Sequence, residues 1–241
     1  MRGPGRGHVG FWIRFAVVVI WPGVLVFFKL RWRGREHVPP RGGVILVTNH
    51  VSQADFLTFA RFVWDSGRIP RFLAKDSLFR VAGIRRVLRG AKQIPVSRGT
   101  ASARHSLDEA VAAVERGECV CIYPEGTVTR DPDFWPMVAR TGVARLALST
   151  GAPVVPVAQW GPQHALDVYN RKVRPFPRHE VWCVAGSPID LSAYRGRPLT
   201  AELLREVTDL IMGRVREQLA EVRGEPAPVE FYRRPPAREA S

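Results

Sequence analysis

The feature that most limits how this chain can fold is the unbroken apolar run Val44-Ile45-Leu46-Val47, which closes on Thr48-Asn49-His50. So short a run suits a strand buried on both faces, the kind found in parallel sheets covered by helices. The segments after it keep to that scheme. Residues 53–65 carry Phe56, Phe59, Ala60 and Val63 at helical spacing. Residues 71–74 and 93–96 read as short strands, and 75–89 between them as a basic amphipathic helix. The clearest helix covers 102–116, where Leu107, Ala110, Val111 and Val114 make one apolar stripe and Gly117 supplies a stop. Residues 118–123 form a strand entering the turn Pro124-Glu125-Gly126. A short helix over 141–149, strands over 153–160 and 180–185, and a long helix over 200–222 complete the chain. This alternation predicts an α/β fold, a largely parallel mixed sheet flanked by helices. Sites in such sheets form beyond the carboxyl ends of the strands. His50 and Pro124-Glu125-Gly126 both follow strand ends, so both can line one pocket.

The two ends of the chain read differently. Residues 15–28 are almost wholly apolar, follow Arg2, Arg6 and Arg14, and precede Lys29, Arg31, Trp32 and Arg33. A spanning helix needs about 20 apolar residues. This run is shorter, and Pro22-Gly23 interrupts it. The expectation is a bent, membrane-associated helical hairpin lying in one leaflet, with Trp and Arg at its edges. An ordinary buried helix is the alternative. The domain plan is then an N-terminal membrane-associated helical segment over 1–30, a catalytic domain over 31–223, and a disordered tail over 224–241. That tail holds Pro226, Pro228, Pro235 and Pro236 among several charges.

Composition sets the remaining bounds. Lys and Arg number 36 against 22 Asp and Glu, a net charge of +14. Such a surface attracts phosphate on nucleic acid, on anionic lipid or on a small substrate. No nucleic-acid motif is visible, and the aromatics are not interleaved with Lys and Arg as stacking platforms, so nucleic acid is not an expected partner. Cys119, Cys121 and Cys183 match no zinc spacing and are read as small core residues, with no metal site and no disulfide framework.

Three segments carry chemistry, and a fourth supports them. In Asn49-His50-Val51-Ser52-Gln53-Ala54-Asp55, a strand-to-helix turn can fold the Asp55 carboxylate onto the His50 imidazole. One ring N–H would then be fixed, and the other nitrogen would be free to take a proton from a hydroxyl. The same residues also read as a capping box, Ser52-x-x-Asp55, in which Asp55 only satisfies backbone donors. In Tyr123-Pro124-Glu125-Gly126-Thr127, Gly126 allows close backbone approach, Thr127 can donate a hydrogen bond, and Glu125 can hold a hydroxyl or anchor neighbouring loops. An ordinary turn is the alternative. In Gln93-Ile94-Pro95-Val96-Ser97-Arg98-Gly99, Arg98 follows a short strand and is placed to grip phosphate, where Lys75 could add a second positive charge; a plain surface charge is the alternative. The segment Ala152-Pro153-Val154-Val155-Pro156-Val157 holds no reactive group and reads as a wall.

Taken in chain order, the four segments resemble the glycerolipid acyltransferase family, whose best-known members are the 1-acylglycerol-3-phosphate (lysophosphatidate) acyltransferases. The matching blocks are Asn49-His50-x4-Asp55, Ile94 to Gly99, Tyr123 to Thr127, and Val155-Pro156-Val157. The resemblance implies that His50 is the general base on the acceptor hydroxyl and that Asp55 orients it. It implies that Arg98, helped by Lys75, binds the acceptor phosphate, and that Glu125, Gly126 and Thr127 shape the acceptor site. The implied reaction moves a fatty acyl group onto lysophosphatidate to form phosphatidate, as in phospholipid biosynthesis. The implied donor is acyl-CoA or acyl-carrier protein, a co-substrate, with no cofactor and no metal. The implied location is the cytoplasmic face of the cell membrane, as a peripheral or monotopic protein on an anionic surface. One residue departs from the pattern. The third block continues Gly126-Thr127-Val128-Thr129-Arg130, so Val128 stands where an Arg is expected and Arg130 is left to reach in from further along. That opens the acceptor to glycerol-3-phosphate or a glycolipid. A non-enzymatic basic membrane-binding protein would explain the charge but not the ordered blocks.

Overall fold

In the computed structural model, which describes residues 9–96, 100–167, 169–170 and 172–233 (with the side chains of 100–104 left out), strands and helices alternate as the apolar runs predict. The order is α1 (Phe11–Phe27), β1 (Phe28–Arg33), β2 (Val44–Thr48), α2 (Asp55–Asp65), β3 (Pro70–Lys75), α3 (Ala82–Gly90) and β4 (Ile94–Val96). It continues with α4 (Thr100–Glu115), β5 (Cys119–Ile122), α5 (Gly142–Thr150), β6 (Val154–Trp160) and α6 (Pro162–Ala165). A two-stranded ribbon of β7 (Leu166–Asp167) and β8 (Lys172–Val173), then β9 (His179–Ala185) and α7 (Ala201–Arg223), complete it.

Seven strands make one sheet in the order β1-β9-β6-β2-β5-β3-β4. Every neighbouring pair is parallel except β6 with β9, so the sheet is mixed and largely parallel, as expected. The alternation of side chains sorts the core. Ile45 and Val47 of β2 face Ala110, Val114, Leu146, Val207 and Ile211 from α4, α5 and α7. Val44 and Leu46 face Phe59, Phe62 and Val63 of α2 on the other side. Cys119, Cys121 and Cys183 are free thiols buried on that second side, the role expected of them. Arg68 is buried and staples the loops beneath the sheet, donating to the carbonyls of Gly42 at 2.6 Å and Gly117 at 2.9 Å.

Four expectations are corrected. The described N-terminal segment is one helix, α1, and not a bent hairpin. Pro22 lies inside it because the helix is held on both sides of that residue. Trp21 meets Trp64 edge-on at 4.8 Å, and Val24 is buried against Ala54, Ala165 and Val181. The chain then runs straight into β1, so the boundary at residue 30 falls inside a sheet strand rather than between domains. The tail does not begin at 224. Residues 225–233 lie on the body, where Tyr232 bridges Met137 and Phe231 receives the Arg216 guanidinium at 4.4 Å. Residues 234–241 lie outside the described residues. Among the described residues no helix is long and apolar enough to cross a membrane. The basic helix expected over 75–89 is two pieces, a short 3-10 turn over Asp76–Arg80 and then α3, separated by extended Val81.

Candidate active site

His50 lies just past the end of β2, and Asp55 is the first residue of α2. The turn between them brings His50 Nδ1 to 2.9 Å from Asp55 Oδ2. The same oxygen accepts the N–H of Val51 at 2.6 Å and of Ser52 at 2.9 Å. One carboxylate therefore both pairs with the imidazole and satisfies two backbone donors of the turn, while Ala54 stands at the N-cap of α2 with no side chain capping it. Asp55 is wholly buried, while His50 keeps 18% of its side chain exposed. An ionised carboxylate only accepts, so it fixes the ring proton on Nδ1 and leaves Nε2 with a free lone pair.

The turn after β5 locks the other side of His50. Its N–H donates to Glu125 Oε1 at 2.9 Å, and its carbonyl accepts the Thr129 N–H at 2.7 Å. Glu125 Oε2 accepts the Met137 N–H at 2.8 Å. Glu125 thus ties the His50 backbone to the loop running from Thr127 to Arg140. Burial pushes its carboxyl up to about 8, against the opposing pull of those two N–H groups. The Tyr123 ring lies 4.4 Å from the imidazole and closes its inner face. The Tyr123 hydroxyl is buried, and burial followed by the nearby Asp55 charge raises its ionisation well above the usual range.

Asn49, named in the first block without a role, and Gln159, not singled out by the sequence, brace this turn. Asn49 and Gln159 clamp the ends of β2 and β6: Asn49 Nδ2 donates to the Gln159 carbonyl at 2.9 Å, and the Gln159 N–H donates to Asn49 Oδ1 at 2.8 Å. Gln159 Nε2 also reaches the Asp55 carbonyl at 3.1 Å and Thr58 Oγ1 at 3.2 Å, fixing the first turn of α2. The sequence signal for this role is a glutamine closing the apolar run Val154-Val155-Pro156-Val157-Ala158, and the structure shows that glutamine fully buried and hydrogen-bonded.

The remaining expected residues divide. Lys75 is exposed at the carboxyl end of β3, on the same sheet edge as His50. It stands two strands away, about 10 Å at ordinary strand spacing. Its register partner is Val96, the last residue before 97–99, which lie outside the described residues together with Arg98. Gly126 is exposed with φ +71°, a conformation that glycine adopts without strain. Thr127 is half-buried in the same turn. Val128 is 6% exposed, so it offers nothing polar to the site. The Arg130 guanidinium lies over the Tyr169 ring at 4.6 Å, and the Tyr169 hydroxyl donates to the Val128 carbonyl at 2.8 Å.

A buried carboxylate, a half-open imidazole and a second carboxyl locked to its backbone lie together at the carboxyl edge of the parallel strands, an arrangement chemically able to accept a proton from a hydroxyl. The chain belongs to the Acyltransferase family, whose model matches residues 29–160. It is 31% identical over 134 residues to a 1-acyl-sn-glycerol-3-phosphate acyltransferase of Borreliella burgdorferi, covering 55% of this chain and 52% of that one. It is 28% identical to a protein of the same name from Limnanthes douglasii, covering 66% and 54%. An N-acylphosphatidylethanolamine synthase of Arabidopsis thaliana is 29% identical, covering 63% and 57%. The chain thus spans about half the length of the curated relatives it matches. The crystal structure of the 1-acyl-sn-glycerophosphate (LPA) acyltransferase PlsC from Thermotoga maritima shares the fold. Its TM-score is 0.64 at 22% identity, over 90% of this chain and 82% of that one.

Proposed function

We propose that this protein is a 1-acylglycerol-3-phosphate O-acyltransferase, moving a fatty acyl group from an acyl thioester to the free hydroxyl of lysophosphatidate to give phosphatidate. The observation that carries the reading is the His50 Nδ1 to Asp55 Oδ2 contact of 2.9 Å on a half-open imidazole. Family membership and the names of two relatives support it.

In the proposed reaction Nε2 of His50 takes the acceptor hydroxyl proton as the oxygen attacks the thioester carbonyl. Asp55 stabilises the imidazolium that forms. The tetrahedral intermediate expels the thiolate, which takes the proton from the His50 imidazolium and leaves as the thiol, and the ester remains. General base catalysis of this kind contributes about 10²–10⁴-fold. The donor is acyl-CoA or acyl-carrier protein. No cofactor is required.

The protein is proposed to work on the cytoplasmic membrane surface. Phe11, Phe15, Val18 and Val19 of α1 are exposed, and Arg85, Arg86 and Arg89 are exposed on α3, which meets α1 where Gly90 faces Trp12. An apolar stripe beside a basic helix suits an anionic leaflet. A second reading keeps the chemistry and changes the acceptor to glycerol-3-phosphate or a glycolipid. Buried Val128 favours it, since the expected Arg is missing there.

Thiol release from acyl-CoA, measured with purified protein across an acceptor series, tests both readings. Lysophosphatidate is expected to give the highest kcat/KM, and His50→Ala is expected to lower kcat by at least 10²-fold with an unchanged melting temperature. Full activity in that variant would overturn the mechanism, and a better acceptor would select the second reading.

A further inference from the structure

The cation that Val128 fails to supply is present elsewhere. A Cβ built on Gly126 would lie 3.1 Å from Nε of Arg140 and 3.6 Å from its Cδ and Cζ. The Arg140 side chain therefore lies along the open face of Gly126, the residue that follows Glu125. Its backbone sets this position, because the Arg140 N–H donates to the Pro124 carbonyl at 2.9 Å. The contact belongs to the turn that holds His50, since Glu125 Oε1 accepts the His50 N–H.

The state of the guanidinium matters as much as its place. Arg140 is exposed, and among the described residues no carboxylate, carbonyl or aromatic ring takes up its guanidinium. Other arginines nearby are engaged. Arg130 lies over Tyr169, Arg205 donates to the Ala139 carbonyl at 2.6 Å, and Arg223 is held between the Trp135 and Trp160 rings. Glu125 is the carboxyl nearest in sequence to Gly126, and both its oxygens are taken by backbone N–H groups. A free, planar, permanently charged fork against the turn that holds His50 is suited to a phosphate monoester.

We propose that Arg140 grips the phosphate of the acyl acceptor, and so selects a phosphorylated acceptor despite valine at position 128. The proposal rests on the acyl-transfer reading above and adds to it a specificity-determining residue. In this arrangement Gly126 stays without a side chain because Arg140 needs that space. The acceptor then lies between the imidazole and the guanidinium, with its hydroxyl toward His50.

The test uses the full chain, with Arg140→Gln and Arg140→Lys compared with Arg145→Gln, which removes an exposed charge from α5. Turnover is measured with lysophosphatidate and with monoacylglycerol. Binding of the same two ligands is measured calorimetrically in the His50→Ala background. Arg140→Gln is expected to raise the KM for lysophosphatidate about 10- to 100-fold and to weaken its binding equally, as loss of a charged hydrogen-bonding partner would. Monoacylglycerol binding and the KM for acyl thioester are expected to stay constant, Arg140→Lys to recover part of the loss, and Arg145→Gln to change nothing. Unchanged lysophosphatidate affinity in Arg140→Gln, or an equal loss for monoacylglycerol, overturns the proposal. If the wild-type protein releases no thiol with any acceptor, the acyl-transfer reading fails. The calorimetric comparison still decides whether Arg140 binds phosphate.

Discussion

At the scale of single residues, one buried oxygen does two jobs. Asp55 Oδ2 orients the His50 ring and accepts two backbone N–H groups at the start of α2. The hydrogen bonding of the turn before α2 and the pairing with His50 therefore agree, and neither works against the other. Glu125 is the more exposed to pH. Its carboxyl is raised from 4.5 to about 8 by burial, so the folded protein holds a proton that the unfolded chain releases. The sign follows from linkage: this contribution to stability is full below about pH 4.5, falls as the pH rises toward 8, and is flat beyond. Glu125→Gln removes the titration and leaves one of the two backbone N–H groups without an acceptor, at a cost of about 1–3 kcal/mol. Urea unfolding from pH 5 to 9 is expected to show wild type losing stability relative to the variant as pH rises. Parallel curves would mean that Glu125 is ionised throughout that range.

At the scale of elements, α1 carries the proposed membrane contact. Trp21 and Val24 fix one side of it to the body, and Phe11, Phe15, Val18 and Val19 are left facing out. Phe15→Asp with Val18→Asp is expected to reduce sedimentation with anionic vesicles about tenfold or more, since each substitution places a charge in an apolar contact. The melting temperature is expected to change by no more than a few degrees, because both side chains are exposed. Vesicle binding at the wild-type level would remove α1 from that role. The strand β1 shows how an element is missed. Phe28, Leu30 and Trp32 alternate with Lys29, Arg31 and Arg33, and the burial alternates with them. That period of two is a strand signal, but the preceding apolar run draws the reading toward a membrane edge.

At the scale of the whole molecule, distant segments meet at the site. The loop from Thr127 to Arg140 is pinned by Glu125 from one side and by the tail from the other, where the Val138 N–H donates to the Tyr232 carbonyl at 3.0 Å. Truncation after Gly224 is expected to lower stability by about 1–3 kcal/mol, the scale of lost buried hydrogen bonds. It is also expected to lower kcat, because Met137 and Arg140 lie on that loop. Denaturation midpoints and thiol-release rates check both, and an unchanged rate would separate the tail from the site. The sequence by itself determined most of the strands and helices with strong period between β2 and α7, and put Asp55 within reach of His50. Those follow from side-chain periodicity and from a five-residue separation, both local. Tertiary structure alone decided what depends on contacts far apart in the chain: α1 continuing through Pro22, the packed residues 225–233, the clamp of Asn49 with Gln159, and Arg140 lying against Gly126. In each case the deciding energy comes from a partner many residues away, and no local pattern encodes which partner that is.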